Sequence, residues 1–162
     1  MKAVVLFSGG LDSTVLAQQL IQQKASVRLL SIDYGQRHEK ELDHSSIIAE
    51  ELKVPHRILT LPNLANILRG SSLTDPNIEL PEGHYAEESM KATVVPNRNM
   101  ILLALAAGYA LSASFDTIAY AAHAGDHTIY PDCRPEFYEV LEHAFQVGNW
   151  DSEKVSFYLP YL

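Results

Sequence analysis

Apolar positions fall along this chain in two alternating kinds of block, short continuous runs and longer stretches with helical spacing. Val4 to Phe7 is a continuous apolar run followed at once by a glycine pair and a helical pattern, as in a buried parallel strand that feeds a helix. Ser13 to Gln23 then sets Val15, Leu16, Leu20 and Ile21 on one helical face, and Val27 to Ile32 reads as the next strand. The pattern repeats. Glu39 to Leu52 is helical with Leu42, Ile48, Ala49 and Leu52 inward, Pro55 interrupts, and Arg57 to Leu61 is a short third strand. Asn97 to Ser114 is a long apolar helix, Thr117 to Ala122 a strand, Pro135 to Val147 a helix and Val155 to Leu159 a last strand. This alternation predicts one α/β domain over 1–162, with a parallel sheet covered by helices on both faces and ligands bound beyond the carboxyl ends of the strands. Residues 62–96, rich in Pro, Asn, Gly and Ser with weak periodicity, form a connection longer than compact domains favour and read as a loop or lid.

Composition narrows the class of partner. The chain has 162 residues, 47% hydrophobic and 20% charged, enough for one ordinary domain with a sizeable core. A formal charge of -8 with no run of Lys and Arg argues against direct nucleic-acid binding, so a small-molecule substrate fits better. The N-terminal apolar run is broken by Ser8-Gly9-Gly10, too early for a signal peptide, and Met100 to Ala107 falls well short of the roughly 20 residues that span a bilayer. The expected compartment is the cytoplasm, without membrane association. The single cysteine, Cys133, agrees with a reducing compartment, and it reads as a small packing residue.

The strongest chemical signal is Ser8-Gly9-Gly10-Leu11-Asp12-Ser13-Thr14, placed directly after the first strand and opening the first helix. Two glycines let the backbone turn tightly and bring N–H groups against an anion, and the helix N-terminus and the hydroxyls add to that cradle. The Gly-Lys-Ser/Thr ending of a Walker A loop and the third glycine of a dinucleotide fingerprint are missing. Asp12 beside a polyphosphate is repulsive unless a cation offsets it, which points to Mg²⁺. Helix capping by Asp12, Ser13 and Thr14 is the plain alternative, and the coincidence of strand, glycines, carboxylate and hydroxyls weighs against it.

Three further segments fall where strand ends meet the crevice: Asp33-Tyr34-Gly35-Gln36-Arg37-His38, Val95-Pro96-Asn97-Arg98-Asn99, and residues 123–137, which include Tyr130-Pro131-Asp132-Cys133-Arg134-Pro135-Glu136-Phe137. Asp132 and Glu136 are candidate hydrogen-bond acceptors, and Arg134 and Arg98 are candidate cations for an anionic group. Asn97 and Asn99 read equally well as caps of the long helix. Tyr34 stacks on a ring or packs beneath the sheet edge. His123 and His127, near Cys133, lie in a loop, where four-residue spacing does not align side chains, so a metal site there is disfavoured.

Ser8-Gly9-Gly10-Leu11-Asp12-Ser13 resembles the PP-loop motif of enzymes that split ATP between the α and β phosphates to adenylate a substrate oxygen. The other segments, above all the one from Tyr130 to Phe137, resemble the branch of that family that builds 7-cyano-7-deazaguanine. The resemblance implies the Rossmann-like adenine nucleotide alpha hydrolase fold and ATP-dependent carbon–nitrogen ligation. Its substrates would be 7-carboxy-7-deazaguanine and ammonia, on the way to queuosine, archaeosine or a modified DNA base. It implies ATP contacts from Ser8, Gly9, Gly10, Leu11, Asp12, Ser13, Thr14, Arg98 and Asp126, with Asp12 and Asp126 toward Mg²⁺. Substrate contacts would come from Tyr34, Gln36, His38, Asn97, Asp132, Arg134 and Glu136, and catalytic roles would fall on Asp12, Ser13, Arg98 and Arg134. A homodimer is implied as well. Members of that branch continue into a cysteine cluster that binds zinc, whereas this sequence stops at Leu162. No bound zinc is therefore expected. The alternatives are another PP-loop amidating or tRNA-modifying enzyme, or a nucleotide-binding module without turnover.

Overall fold

The computed structural model describes residues 1–35, 40–68, 71, 93–126 and 130–162. Residues 36–39, 69–70, 72–92 and 127–129 lie outside that description, and with them go Gln36, Arg37, His38, His127 and most of the segment read as a lid.

Among the described residues five parallel strands form one sheet: β1 (Lys2–Leu6), β2 (Ser26–Asp33), β3 (His56–Thr60), β4 (Thr117–Ala119) and β5 (Ser156–Tyr158), in the order β3-β2-β1-β4-β5. Register is set by pairs such as Val4 with Arg28, Val4 with Ile118, and Ser31 with Ile58. The helices are α1 (Leu11–Gln22), α2 (Lys40–Leu52), a single turn α3 (Leu64–Ile67), α4 (Arg98–Ser112) and α5 (Pro135–Gly148), with 3-10 turns at Ala124–Asp126 and Pro131–Cys133. Among the described residues no helix is long and apolar enough to cross a membrane.

The period-two alternation of β1 divides the core into two layers. Val4 and Leu6 face Leu103, Ala106 and Ala110 of α4, whereas Ala3, Val5 and Phe7 face Leu16, Ala17 and Leu20 of α1. Both faces of the sheet are therefore covered, which is why its strands read as unbroken apolar runs. Leu103 is fully buried, and truncating such a leucine to alanine costs about 2–5 kcal/mol.

Several boundaries differ from the sequence reading, for physical reasons. Helix α1 starts two residues early, at Leu11 and Asp12, which are both exposed and lie off the inward stripe although Leu11 is apolar. Its buried stripe is Ser13, Leu16, Ala17 and Leu20; Val15, expected inward, is 42% exposed. Strand β4 ends at Ala119 instead of Ala122, because after Tyr120 N–H donates to Tyr158 O the chain leaves its short edge partner β5. Asn97 and Asn99 do not cap α4 through their side chains: Asn97 takes a left-handed φ of 59°, and Asn99 is buried.

Candidate active site

Strand order locates the site. From β1 the chain runs outward through β2 to β3, then returns to place β4 on the other side of β1, so the connections diverge at the β1/β4 boundary. The carboxyl ends of strands at such a switch point leave a crevice. Residues 8–10 emerge there from β1 and 120–123 from β4.

The loop after β1 is shaped by its own side chains. Gly9 has φ of 81°, a backbone region an L side chain rarely adopts, and Gly10 is extended at the start of α1. Gly10 N–H donates to Ser8 Oγ at 3.1 Å, while Ser13 Oγ and Thr14 Oγ1 donate to Gly10 O at 3.2 and 2.8 Å. These hydroxyls hold the turn. The first N–H groups of α1 have no side-chain cap and carry the partial positive charge of the helix terminus, an arrangement that suits an anion. Below the loop, Ser31 Oγ donates to the carbonyl of Phe7 and lies 2.8 Å from His56 Nε2. The hydroxyl hydrogen is used on Phe7, so the ring nitrogen is the donor in the second bond.

A cavity of about 290 Å³ opens beside the loop, floored by Leu6, Leu30, Ile32 and Leu102 and walled by Tyr34, Arg98, Asn99 and Tyr120. That apolar floor with a few convergent polar groups is the usual composition of a small-molecule site. Asn99 organises the wall. Its Oδ1 accepts from Tyr120 Oη at 3.1 Å and from Arg98 Nε at 3.4 Å, and its amide nitrogen lies 3.9 Å from Cys133 Sγ. Burial alone would lower the Arg98 guanidinium; Tyr34, which also hydrogen-bonds it, Tyr120 and Asp132 turn the net shift upward. Burial raises Tyr120 well above the usual phenol range, against the pull of Arg98, so it stays a neutral hydroxyl. Arg98 is thus a fixed cation on a neutral polar scaffold.

The remaining sequence candidates separate. Leu11 and Asp12 are exposed at the loop mouth, and Asp132 lies close enough to Arg98 and Tyr120 to act on their charge. Arg134 and Glu136 are not in the first cavity; they border a second groove with Met100, Phe137 and Val140. Asn97 is exposed at the start of α4, and Asp126 is described only as backbone in its 3-10 turn. Gln36 and His38 lie outside the described residues. Among the described residues no three His, Cys, Asp or Glu side chains group as a metal site. Cys133 is buried against Asn99, as a packing residue would be.

Sequence reasoning missed Tyr120, the approach of His123 to Asp12 and the network around Asn99. A signal for Asn99 was available: it shares the i, i+4, i+7, i+11 stripe with Leu103, Ala106 and Ala110, all buried. Tyr120 follows a strand adjacent to β1, the position from which a crevice is lined.

The family model described as Queuosine biosynthesis protein QueC matches residues 2–162. The chain is 50% identical over 161 residues to the 7-cyano-7-deazaguanine synthase of Pseudoalteromonas translucida, covering 99% of this chain and 72% of the relative. It is 51% identical over 161 residues to that of Hahella chejuensis, covering 99% and 68%. Among solved structures, the predicted subunit of tRNA methyltransferase from Methanocaldococcus jannaschii has a TM-score of 0.60 at 17% identity, covering 100% of this chain and 68% of that one. The NH3-dependent NAD synthetase of Campylobacter jejuni has a TM-score of 0.52 at 14% identity, covering 78% and 49%. At these identities the structural likeness is one of fold.

Proposed function

The chain belongs to the queuosine biosynthesis protein QueC family, and from that membership we propose that it converts 7-carboxy-7-deazaguanine and ammonia to 7-cyano-7-deazaguanine with ATP. The observation that carries the reading is the junction at the switch point of an uncapped, glycine-turned helix start, a cavity and the fixed cation Arg98. An anionic nucleotide and a flat base need these three features in contact.

The chemistry follows from what each bond requires. A carboxylate oxygen is a poor leaving group, so the substrate oxygen attacks the α phosphate and pyrophosphate departs. Ammonia then attacks the carbonyl, releasing AMP and leaving the amide. A second ATP activates the amide oxygen in the same way, and loss of AMP with the amide protons yields the nitrile. The protein's share is positioning and charge neutralisation. In this reading the amides from Leu11 to Ser13 and Arg98 face the phosphates, and Tyr34 and Tyr120 border the ring. Asp132 accepts from the base edge, while Arg134, Glu136, Asn97, Gln36 and His38 are further substrate contacts. Asp12 offers one exposed carboxylate at the loop mouth, which suits Mg²⁺, an ion commonly held by one or two carboxylates and the nucleotide's phosphates. Asp126 is the second candidate ligand. The acting unit is a cytoplasmic homodimer that binds no nucleic acid, and light scattering tests the dimer.

The deciding experiment incubates the chain with 7-carboxy-7-deazaguanine, ATP, Mg²⁺ and ammonium and measures the mass of the base formed. The nitrile, with AMP and pyrophosphate released in step, is expected. AMP release without a new base, or an unchanged acid while ATP is bound, would refute the reading.

A further inference from the structure

We propose that His123 is a positioning residue of the nucleotide site, held in place by Tyr161, and that it acts through the carboxylate of Asp12. The proposal deepens the reading of the loop as an ATP site and rests on it.

Asp12 lies in the first turn of α1, where the helix favours a carboxylate, yet a bound polyphosphate would repel it. Mg²⁺ would offset its charge, but some group must fix its orientation. His123, leaving the crevice after β4, places Nε2 3.3 Å from Asp12 Oδ1. The pair is at ion-pair range without the alignment of a hydrogen bond, and the nitrogen is buried although the ring as a whole is not. Asp12 does not hold this ring. Tyr161 does, stacked on it at 5.2 Å between centroids with 13° between planes.

Tyr161 is itself fixed at both ends. Its hydroxyl donates to Gln19 Oε1 at 3.0 Å, and its carbonyl accepts from the N–H of Ala124, the neighbour of His123, at 3.0 Å. Gln19 lies two turns beyond Asp12 on the same face of α1. One tyrosine therefore ties the helix that carries Asp12 to the segment that carries His123. With the ring set independently, the carboxylate is free to turn between His123 and a nucleotide.

The test is a double-mutant cycle on ATP affinity, measured by calorimetry with ATP and Mg²⁺ on the 162-residue chain. His123→Phe keeps the stack on Tyr161 and removes the nitrogen, and about a tenfold loss of ATP affinity is expected with an unchanged melting temperature. His123→Gln, which keeps a donor of similar reach, should recover part of that loss. In an Asp12→Asn background the same His123→Phe change should cost little, because the group it acts on has gone. Ring nitrogen shifts of His123 should move in Asp12→Asn by ¹⁵N NMR, a change that a packing role would not produce. Additive losses, or His123→Phe binding ATP as the wild type does, would overturn the proposal. The cycle needs no base turnover, so a chain that binds ATP without forming nitrile refutes the synthase reading alone.

Discussion

Asn99 is the residue on which the cavity wall depends, since Tyr120 and Arg98 both donate to its one carbonyl oxygen. Asn99→Leu keeps the volume and strands a buried hydroxyl, a change expected to cost about 1–3 kcal/mol in urea unfolding. Tyr120→Phe removes one neutral donor and should cost about 0.5–1.5 kcal/mol. The kinetic consequences should differ as well. Asn99→Leu releases Arg98 and is expected to lower kcat with ATP, whereas Asn99→Asp keeps an acceptor for both donors and should retain more activity. Equal activity in the Leu and Asp variants would show that Arg98 needs no such support. Sequence supplied Arg98 as a cation for phosphate but left Asn99 evenly balanced between a cap and a site residue, because an Asn at a helix start caps by default. The apolar stripe of α4 already put Asn99 on the buried face; what the sequence lacked was the partners, Tyr120 and Cys133, which the fold brings to it from distant positions.

The helices show which parts of an element a sequence reveals. The strand-helix alternation and the loop at residues 8–14 were legible, because burial on both faces writes continuous apolar runs and the glycine pair interrupts the first of them. The ends of α1, α2 and α4, read at Gln23, Leu52 and Ser114, fall at Gln22, Leu52 and Ser112; what closes them was not legible, since all three stop without glycine. Lys24, Lys53 and Ser114 sit at φ of 60°, 56° and 57°, each followed by a residue whose N–H reaches back into the last turn: Ala25 to Leu20, Val54 to Ala49 and Phe115 to Ala110. This is the closing motif in which glycine is usual, here made by residues that carry a Cβ. The left-handed conformation costs an L residue about 1–2 kcal/mol, partly cancelled by the extra freedom glycine has in the unfolded chain, about 0.5–1 kcal/mol. Lys24→Gly or Lys53→Gly should therefore stabilise the protein by about 0.5–1 kcal/mol each, read as a higher urea midpoint at unchanged slope. A lower midpoint would mean that the lysine stems contribute packing that outweighs their strain.

At the scale of the whole molecule, the root of the ligand loop is tied to the outer strand β3, and this makes stability respond to pH. His56 donates to Ser31, which in turn holds the Phe7 carbonyl where the chain leaves β1. Burial lowers the His56 pKa from the ordinary histidine value of about 6.5. The unfolded chain therefore takes up a proton before the folded one does. Stability from this site is complete above about 6.5 and is lost as pH falls toward and through the folded value, with a slope of at most about 1.4 kcal/mol per pH unit for one proton. Asp116 contributes in a lower window: burial opposes its ionisation, but hydrogen bonds from Lys2 N–H and Thr117 outweigh that and depress its pKa. Its contribution is lost only below the ordinary carboxyl range, so acidification from pH 7.5 to 5.5 isolates the histidine from it. His56→Gln retains a side-chain donor toward Ser31 and cannot titrate. Urea unfolding at the two pH values should show a smaller loss of stability on acidification for the variant than for the wild type. Because the ring supports Ser31 beneath Phe7, ATP affinity of the wild type should fall over the same interval by more than that of His56→Gln. Identical acid sensitivity in both proteins would show that the proton responsible binds elsewhere and that β3 does not communicate with the loop.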